Sequence, residues 1–426
     1  MEKTCKTSRC HTAWFIWLAA VMFYFYEFFV RVVPGGMFQD MQQHYAVTAG
    51  LLGFASSVYY YIYSPIQIFA GTLFDRFGGR SVLISASLCV TLGCVGALLS
   101  GHSLAIFALG RFFMGLGSGF GFIGVMYLAA IWFPKEKISF ISGLTTAIGF
   151  LGAIFALEYI PQLVGWIGYF PCWLLASILG ILSASILYFT IPHASLGEKE
   201  RWEVYRKAHA EHHFFTGLFQ VMRNPQTWII GSIAGAFYAI PTVFGDLWGN
   251  AYLEIVADVS NKTAGQTVAM LYIGWLMGSP FFGWLSDRIQ KKKIFLLGGS
   301  FACSVLLCIF LYSPLSLNTT RILLLLIGFC GSPQVTCFTA SLETNPSYAS
   351  GSAVAVVNMI VMFIGGFTQP IVGWIINGLS SNHIQDNLHM ASAHDLRIAL
   401  SVLPIIIFLG FVMTFFYDEK SATTSS

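Results

Sequence analysis

Charge is what this sequence has least of. Only 10% of its 426 residues are Asp, Glu, Lys or Arg, against about 25% in an ordinary soluble domain. With 56% hydrophobic residues, that scarcity excludes a soluble globular chain and leaves a polytopic membrane protein. The formal net charge is only +3 and no basic block occurs, so nucleic acid is not an expected partner. The 9 cysteines form no Cys-x-x-Cys pair. Cys5 and Cys10 precede the first apolar run and the others lie inside apolar runs, as small buried thiols do. There is no HExxH, Walker A or GxSxG pattern. All 10 histidines, including His44, His102 and His383, lie outside the apolar runs, which excludes a buried histidine relay. An enzyme or an ATP-driven pump therefore has no constellation behind it, and no cofactor or metal is expected.

What is present is a series of twelve apolar runs, at 14–36, 49–74, 81–100, 104–131, 141–162, 171–192, 226–248, 265–286, 294–312, 321–343, 351–377 and 397–417. Each is long enough to cross a bilayer, since about 20 residues at 1.5 Å each span the hydrocarbon. They are numbered here as spans 1 to 12. The basic N-terminus before span 1 is reminiscent of a signal peptide, but the run is too long and lacks a small-residue cleavage site, so it reads as an uncleaved span. Most of the 22 Lys and Arg residues fall on one side of these spans. They include Lys3, Lys6, Arg9, Arg76, Arg80, Lys135, Lys137, Arg206, Lys207, Arg223, Arg288, Lys291, Lys292, Lys293 and Lys420. The positive-inside rule then predicts that both termini are cytoplasmic. The longest polar connection, between spans 6 and 7, predicts three parts: a bundle at 1–192, a linker at 193–225 and a second bundle at 226–426. The segment GEKERWEVYRKAHAEHH in that linker is expected to be a basic solvated stretch.

Few charges lie inside the spans. Glu27 and Arg31, in WFIWLAAVMFYFYEFFVRVVPGGM, stand four residues apart on one helical face, shared with Tyr24 and Pro34. A charge at that depth costs about 2.5–3.5 kcal/mol or more on insertion scales, so it must face protein or a water-filled cavity. Arg31 can hold a carboxylate through its planar fork. Glu27 can bind an amine or carry a proton. Arg111 in span 4 is either a brace or a site residue. Two arginines against one glutamate leave a positive charge in this half, which calls for an anionic or zwitterionic solute. In span 2, Ser56, Tyr60, Tyr63 and Gln67 recur at helical spacing and predict a cavity face, with Tyr59 and Tyr61 pointing elsewhere. The second half offers Tyr238, Gln334 and Asn358 as lining candidates, with Pro241 and Gln369-Pro370 as helix breaks. Asp246, Glu158 and Glu343 fall near predicted span ends, where hydrated or capping roles are expected.

The two halves echo each other. Span 2 is followed by Gly71-Thr-Leu-Phe-Asp75-Arg76-Phe-Gly-Gly-Arg80, and span 8 by Gly283-Trp-Leu-Ser-Asp287-Arg288. A repeat at corresponding places marks an internal duplication. With twelve spans and a six-plus-six division, these motifs resemble the major facilitator superfamily. The resemblance implies an all-α membrane protein of twelve transmembrane helices in two six-helix bundles, working by alternating access without a cofactor. It implies that Asp75 faces the start of span 11 and Asp287 the start of span 5, a conformational latch that Gly71, Arg76, Arg80, Gly283 and Arg288 complete. The runs YFYEFFVRVVPG, YYYIYSPIQIFAGTLFDRFGGR and GRFFMGLGSGFGFIGVMYLAAIWFP resemble the phagosomal nutrient transporters of intracellular bacteria. They are similar, more distantly, to the lysosomal dipeptide transporters. That likeness implies proton-coupled uptake of an amino acid or short peptide by a monomer in a bacterial inner membrane. Nucleoside uptake, organic-anion exchange and drug efflux are the alternatives. Span 5 lacks the Gly-Pro element of many drug/proton antiporters, which counts against the last.

Overall fold

The computed structural model describes residues 2–134, 138–192, 214–346, 349–380, 384–385, 388–389 and 392–419. Described side chains exclude 2–11, 75, 138–140, 214–216, 287, 380 and the four strand residues. Eleven helices among the described residues are long and apolar enough to cross a membrane: Thr12–Gly36, Arg76–Leu98, Leu104–Trp132, Ile141–Ile167, Tyr169–Thr190, Pro225–Val256, Asn261–Ser286, Lys292–Tyr312, Leu317–Thr344, Ser350–Leu379 and Ala393–Phe415. These are spans 1 and 3 to 12. Span 2 is the first half of one 50-residue helical run, Ala49–Leu98. Its Tyr, Ser and Gln residues lower its hydropathy, and they turn out to face protein. Spans 2 and 3 are joined with no loop. The break is Gly78, at φ 78° and ψ 158°, a conformation that glycine adopts without a Cβ clash. A two-stranded hairpin, Ile384–Gln385 with Leu388–His389, precedes span 12.

The described chain enters span 1 and leaves span 12 on the same face of the bundle, here the terminal side; the other is the far side. Of the six spans that start on the far side, all but span 6, which follows Gly168, are capped by hydroxyls. Thr48, Ser103, Ser260 and Ser316 each accept from a backbone N–H of the first turn, and Ser392 forms a full capping box with Asp395. Such caps satisfy amide donors that would otherwise be orphaned. A short helix, Phe38–Tyr45, lies across the far side and buries Phe38, Met41 and Tyr45. The central connection 193–213 lies outside the described residues; the chain resumes as the helix Phe214–Arg223.

Small residues set the packing inside each bundle. A Cβ on Gly115 of span 4 would collide with the Tyr59 carbonyl of span 2, and one on Gly328 of span 10 with the Leu271 carbonyl of span 8. These are corresponding helix pairs in the two halves, in contact through glycine and main chain. Side-chain bonds tie span 1 to its own bundle: Trp17 Nε1 donates to Thr145 Oγ1 at 3.2 Å, and Tyr26 donates to the Ala176 carbonyl at 2.9 Å.

The seam between bundles runs along spans 1, 2 and 5 against spans 7, 11 and 8. On the far side it is tight. A Cβ on Gly373 would stand 2.7 Å from Gly50 Cα and 2.9 Å from the Ala49 carbonyl, and one on Gly35 would stand 2.5 Å from the Asp246 carbonyl. Asn261 Nδ2 donates to the Gly36 carbonyl at 3.0 Å, and Gln266 Nε2 to Glu158 Oε1 at 2.8 Å. Ser57 Oγ donates to Gln369 Oε1 at 2.9 Å. On the terminal side of these spans, Gly71, Gly143, Gly283 and Gly351 have open space where a Cβ would stand. Among the described residues, the close contacts and bonds across the seam are thus concentrated on its far side.

Candidate functional site

The centre of the seam holds the ion pair expected from span 1. Glu27 is wholly buried and Arg31 is 1% exposed. Arg31 Nη2 donates to Glu27 Oε1 at 3.1 Å and to Oε2 at 3.0 Å. Its Nε donates to the Tyr59 hydroxyl at 3.2 Å, and Tyr59 donates in turn to Glu27 Oε2 at 2.8 Å. Aromatic faces enclose the guanidinium: its carbon lies 4.1 Å from the Phe28 ring centroid and 5.1 Å from that of Tyr63, close enough for cation–π attraction. Nη1 points across the seam, where its contact is the Tyr238 hydroxyl of span 7 at a long 3.5 Å.

Tyr59 is therefore a site residue, contrary to the helical-face expectation that set it aside. Span 2 is packed on two sides, against spans 1 and 4 and against span 11. Tyr59 takes the first side and Tyr60 the second. Tyr63 stacks on Tyr59 at 5.7 Å. Tyr24 stands one turn from Glu27, its ring edge-on to Phe28 at 5.0 Å. Gln67 Oε1 accepts a short bond from Asn358 Nδ2 of span 11, so these two lining candidates meet across the seam. Gln334 is buried in a 3-10 turn, Ser332–Gln334, that interrupts span 10. Tyr238 sets its ring edge-on to Trp275 of span 8 at 5.8 Å.

Arg111 is engaged by main chain. Nε donates to the Ser56 carbonyl at 3.1 Å, Nη1 to the Val30 carbonyl at 3.2 Å and Nη2 to the Arg31 carbonyl at 3.4 Å. The Val30 carbonyl would ordinarily accept from the amide four residues on, but that residue is Pro34, which has none. Arg111 supplies the missing donor, and of its two sequence readings the brace fits its contacts.

The charge count of the sequence analysis also changes. Asp246 is 5% exposed and lies well inside span 7, which continues to Val256 rather than ending near 248. It sits in a π-helical stretch, Ile240–Trp248, with Pro241 in its first turn. The hydroxyls of Tyr60 (span 2) and Tyr272 (span 8) both donate to its carboxylate in short bonds. By number, two buried arginines stand against two buried carboxylates, Glu27 and Asp246, so the excess positive charge counted from the sequence is gone, although only Glu27 and Arg31 are in contact. The other carboxylates expected at span ends also have partners. Glu158 bridges the seam to Gln266, and Glu343 pairs with Lys292 Nζ at 2.6 Å.

The motif side chains Asp75 and Asp287 lie outside the described side chains. Around them, Arg80 stacks over the Tyr188 ring at 4.6 Å and Arg288 over Trp284 at 5.5 Å, while Arg76 lies 5.3 Å from the Phe77 centroid. A Cβ on Gly71 or Gly283 would meet nothing within 4 Å.

Several curated transporters are similar to this chain at low identity. The chain is 24% identical over 319 residues to the cis,cis-muconate transport protein of Acinetobacter baylyi, covering 73% of this chain and 75% of that one. It is 22% identical to the probable galactarate/D-glucarate transporter GudP of Bacillus subtilis, over 80% and 81% of the two chains. Its match to the probable nitrate/nitrite transporter NarK2 of Mycobacterium tuberculosis, 25% identical, covers about half of each, 54% of this chain and 55% of the other. These relatives are named for anions, so the finer likeness to amino-acid or nucleoside carriers does not rest on them. Among solved structures, a bacterial homologue of the human lysosomal transporter Spinster, inward-facing and occupied, superposes with a TM-score of 0.74 at 16% identity, over 96% and 98% of the chains. A D-xylose–proton symporter gives 0.71, also at 16%, over 95% and 98%. The sequence profile of the Major Facilitator Superfamily matches residues 16–370. That match spans most of the chain, and this chain belongs to the Major Facilitator Superfamily, a family of membrane transporters.

Proposed function

We propose that this transporter moves a small carboxylate-bearing solute by alternating access, with an amino acid or short peptide as the substrate class and protons as the coupling ion. The observation that carries the reading is Arg31 Nη1, which faces the seam between bundles with one long contact to Tyr238. A carboxylate oxygen placed there would replace a poor hydrogen bond with a charge-assisted one. Glu27 beside it supplies the acceptor for a substrate amine, and Phe28, Tyr24 and Tyr63 supply apolar walls. In this reading residues 1–192 and 226–426 are the rocking bundles, joined by 193–225. The terminal side is the cytoplasm of a bacterial inner membrane, so the described conformation faces inward. The protein works as a monomer, and the paired Gly-x-x-x-Asp-Arg motifs latch the terminal side when it closes.

A second reading is supported by the relatives named for muconate, galactarate and nitrate. In it the substrate is a simple organic anion, and Glu27 only balances Arg31. Uptake into proteoliposomes of a labelled panel (amino acids, dipeptides, nucleosides and dicarboxylates), with and without a proton gradient, separates the two. Accumulation of amino acids or peptides supports the first reading. Accumulation of dicarboxylates alone refutes it in favour of the second.

A further inference from the structure

The two buried carboxylates are held in different ways. Glu27 has both oxygens on Arg31 Nη2 and one on Tyr59; its charge is matched by a cation in contact. Asp246 has two phenol donors and, among the described residues, no cation within ion-pair distance. The titratable and charged groups facing it come from five elements. Tyr60 lies on span 2, Tyr272 on span 8 and Tyr238 on its own span 7. Arg31 of span 1 and Arg111 of span 4 act only through their fields, and span 11 brings the neutral Gln369 to the Thr242 carbonyl of the same stretch. The adjacent Tyr59 and Tyr60 thus each donate to a different carboxylate, one per bundle, with ring centroids 5.1 Å apart. Buried acids in contrasting environments divide charge-holding from proton-taking, and an intramembrane acid without a cation partner is the one free to change charge.

We propose that Asp246 is a proton-binding site, and that its proton sets whether the far-side seam is closed. Tyr60 belongs to one bundle and Asp246 to the other, so their bond crosses the seam close to the Gly35 contact with the Asp246 main chain. The ionised carboxylate accepts from Tyr60 and Tyr272 at once. The neutral acid carries a hydrogen that must itself be donated, and its remaining bond is about half as strong as a charge-assisted one. Proton binding therefore loosens the bolt between bundles, and proton loss tightens it. Glu27, clamped by Arg31, takes no part in this switching. The inference does not depend on the identity of the substrate.

The test is hydrogen–deuterium exchange of the far-side segments 49–57 and 240–253 in the full protein in nanodiscs, with no substrate. It is run from about pH 8 to about pH 5, with labelling times scaled to the intrinsic rate. The wild type is expected to exchange on the order of fivefold faster at the acid end, the ratio expected for the loss of about 1 kcal/mol. Asp246→Asn, permanently neutral, is expected to exchange fast at every pH with a flat profile. Tyr60→Phe, which keeps the acid but removes its link across the seam, is expected to be fast and flat too, and it guards against a folding defect in the first variant. A flat wild-type profile overturns the proposal. So does a wild-type pH response in folded Asp246→Asn or in Tyr60→Phe.

Discussion

Replacing Arg111 by methionine, with and without Pro34→Ala, tests the brace in span 4 by a double-mutant cycle. Arg111 donates to three main-chain carbonyls. Two of them, Ser56 and Arg31, lie four residues before Tyr60 and Gly35, whose amides can serve as helical donors. Val30 lies four residues before Pro34 and has no such alternative. Methionine therefore orphans one buried carbonyl, at a cost of about 1–3 kcal/mol, beyond whatever removal of the charge does. Pro34→Ala restores an amide at the right place. In that background the orphan disappears, and Arg111→Met should be about 1–3 kcal/mol less damaging. The loss of charge is common to both arms and cancels in the cycle. Unfolding by SDS in mixed micelles reads the four free energies directly. A coupling energy within about 0.5 kcal/mol of zero, the ordinary scatter of independent sites, would show that Arg111 does not cap Val30. Wild-type stability of Arg111→Met combined with lost transport would make it a substrate residue instead.

Three other outcomes follow from the geometry. Arg31→Lys keeps the Glu27 pair but loses the planar fork to Tyr59 and Tyr238. Loss of the one charge-assisted bond proposed from Arg31 to the substrate carboxylate, at about 1.5–3 kcal/mol, predicts roughly ten- to a hundredfold weaker substrate binding, and unchanged affinity in a scintillation proximity assay would reduce Arg31 to a generic charge. Gly373→Ala would put a methyl 2.7 Å from Gly50 Cα and 2.9 Å from the Ala49 carbonyl. Main chain cannot yield cheaply there, so the far side should spring open, and an impermeant maleimide should label a far-side seam cysteine faster; unaltered labelling speaks against backbone contact. Asp75→Asn should weaken closure of the terminal side and bias the protein toward the conformation described here. Equal cysteine labelling of the terminal-side cavity in variant and wild type would contradict the latch.

Much of this architecture is legible in the chain. The spans follow from apolar length, and the repeated Asp-Arg motif divides them into halves. Glu27 and Arg31 announce themselves because charges four residues apart inside an apolar run must meet. Tyr59 was harder to read for a physical reason. Helical period assigns a residue to a face, but span 2 is buried on more than one face, and the pattern cannot say which face meets the ion pair. Asp246 was hidden by a boundary. The run after Pro241 looks like the end of a span because Gly, Asp and Asn interrupt it, yet the helix widens to π geometry and continues through Tyr252 to Val256. The signal that could have found it is the apolar stretch resuming after Asn250. Arg111 could have been read from Pro34 alone, since a proline inside a buried helix leaves a carbonyl that some donor must satisfy.

The far-side seam has a kinetic consequence. Where Gly50 meets Gly373, Gly35 meets Asp246 and Gly265 meets Leu157, the surfaces that would part and rejoin in the proposed alternating-access cycle are main chain and small residues. Glycine has no rotamers to freeze on docking, whereas each long side chain ordered at an interface gives up as much as about 2 kcal/mol of entropy. A gate of interlocking side chains would have to search for its fit at every cycle. A gate of bare backbone returns to the same register by shape alone, so the few directional bonds across it, rather than a slow repacking, set how fast the carrier turns over.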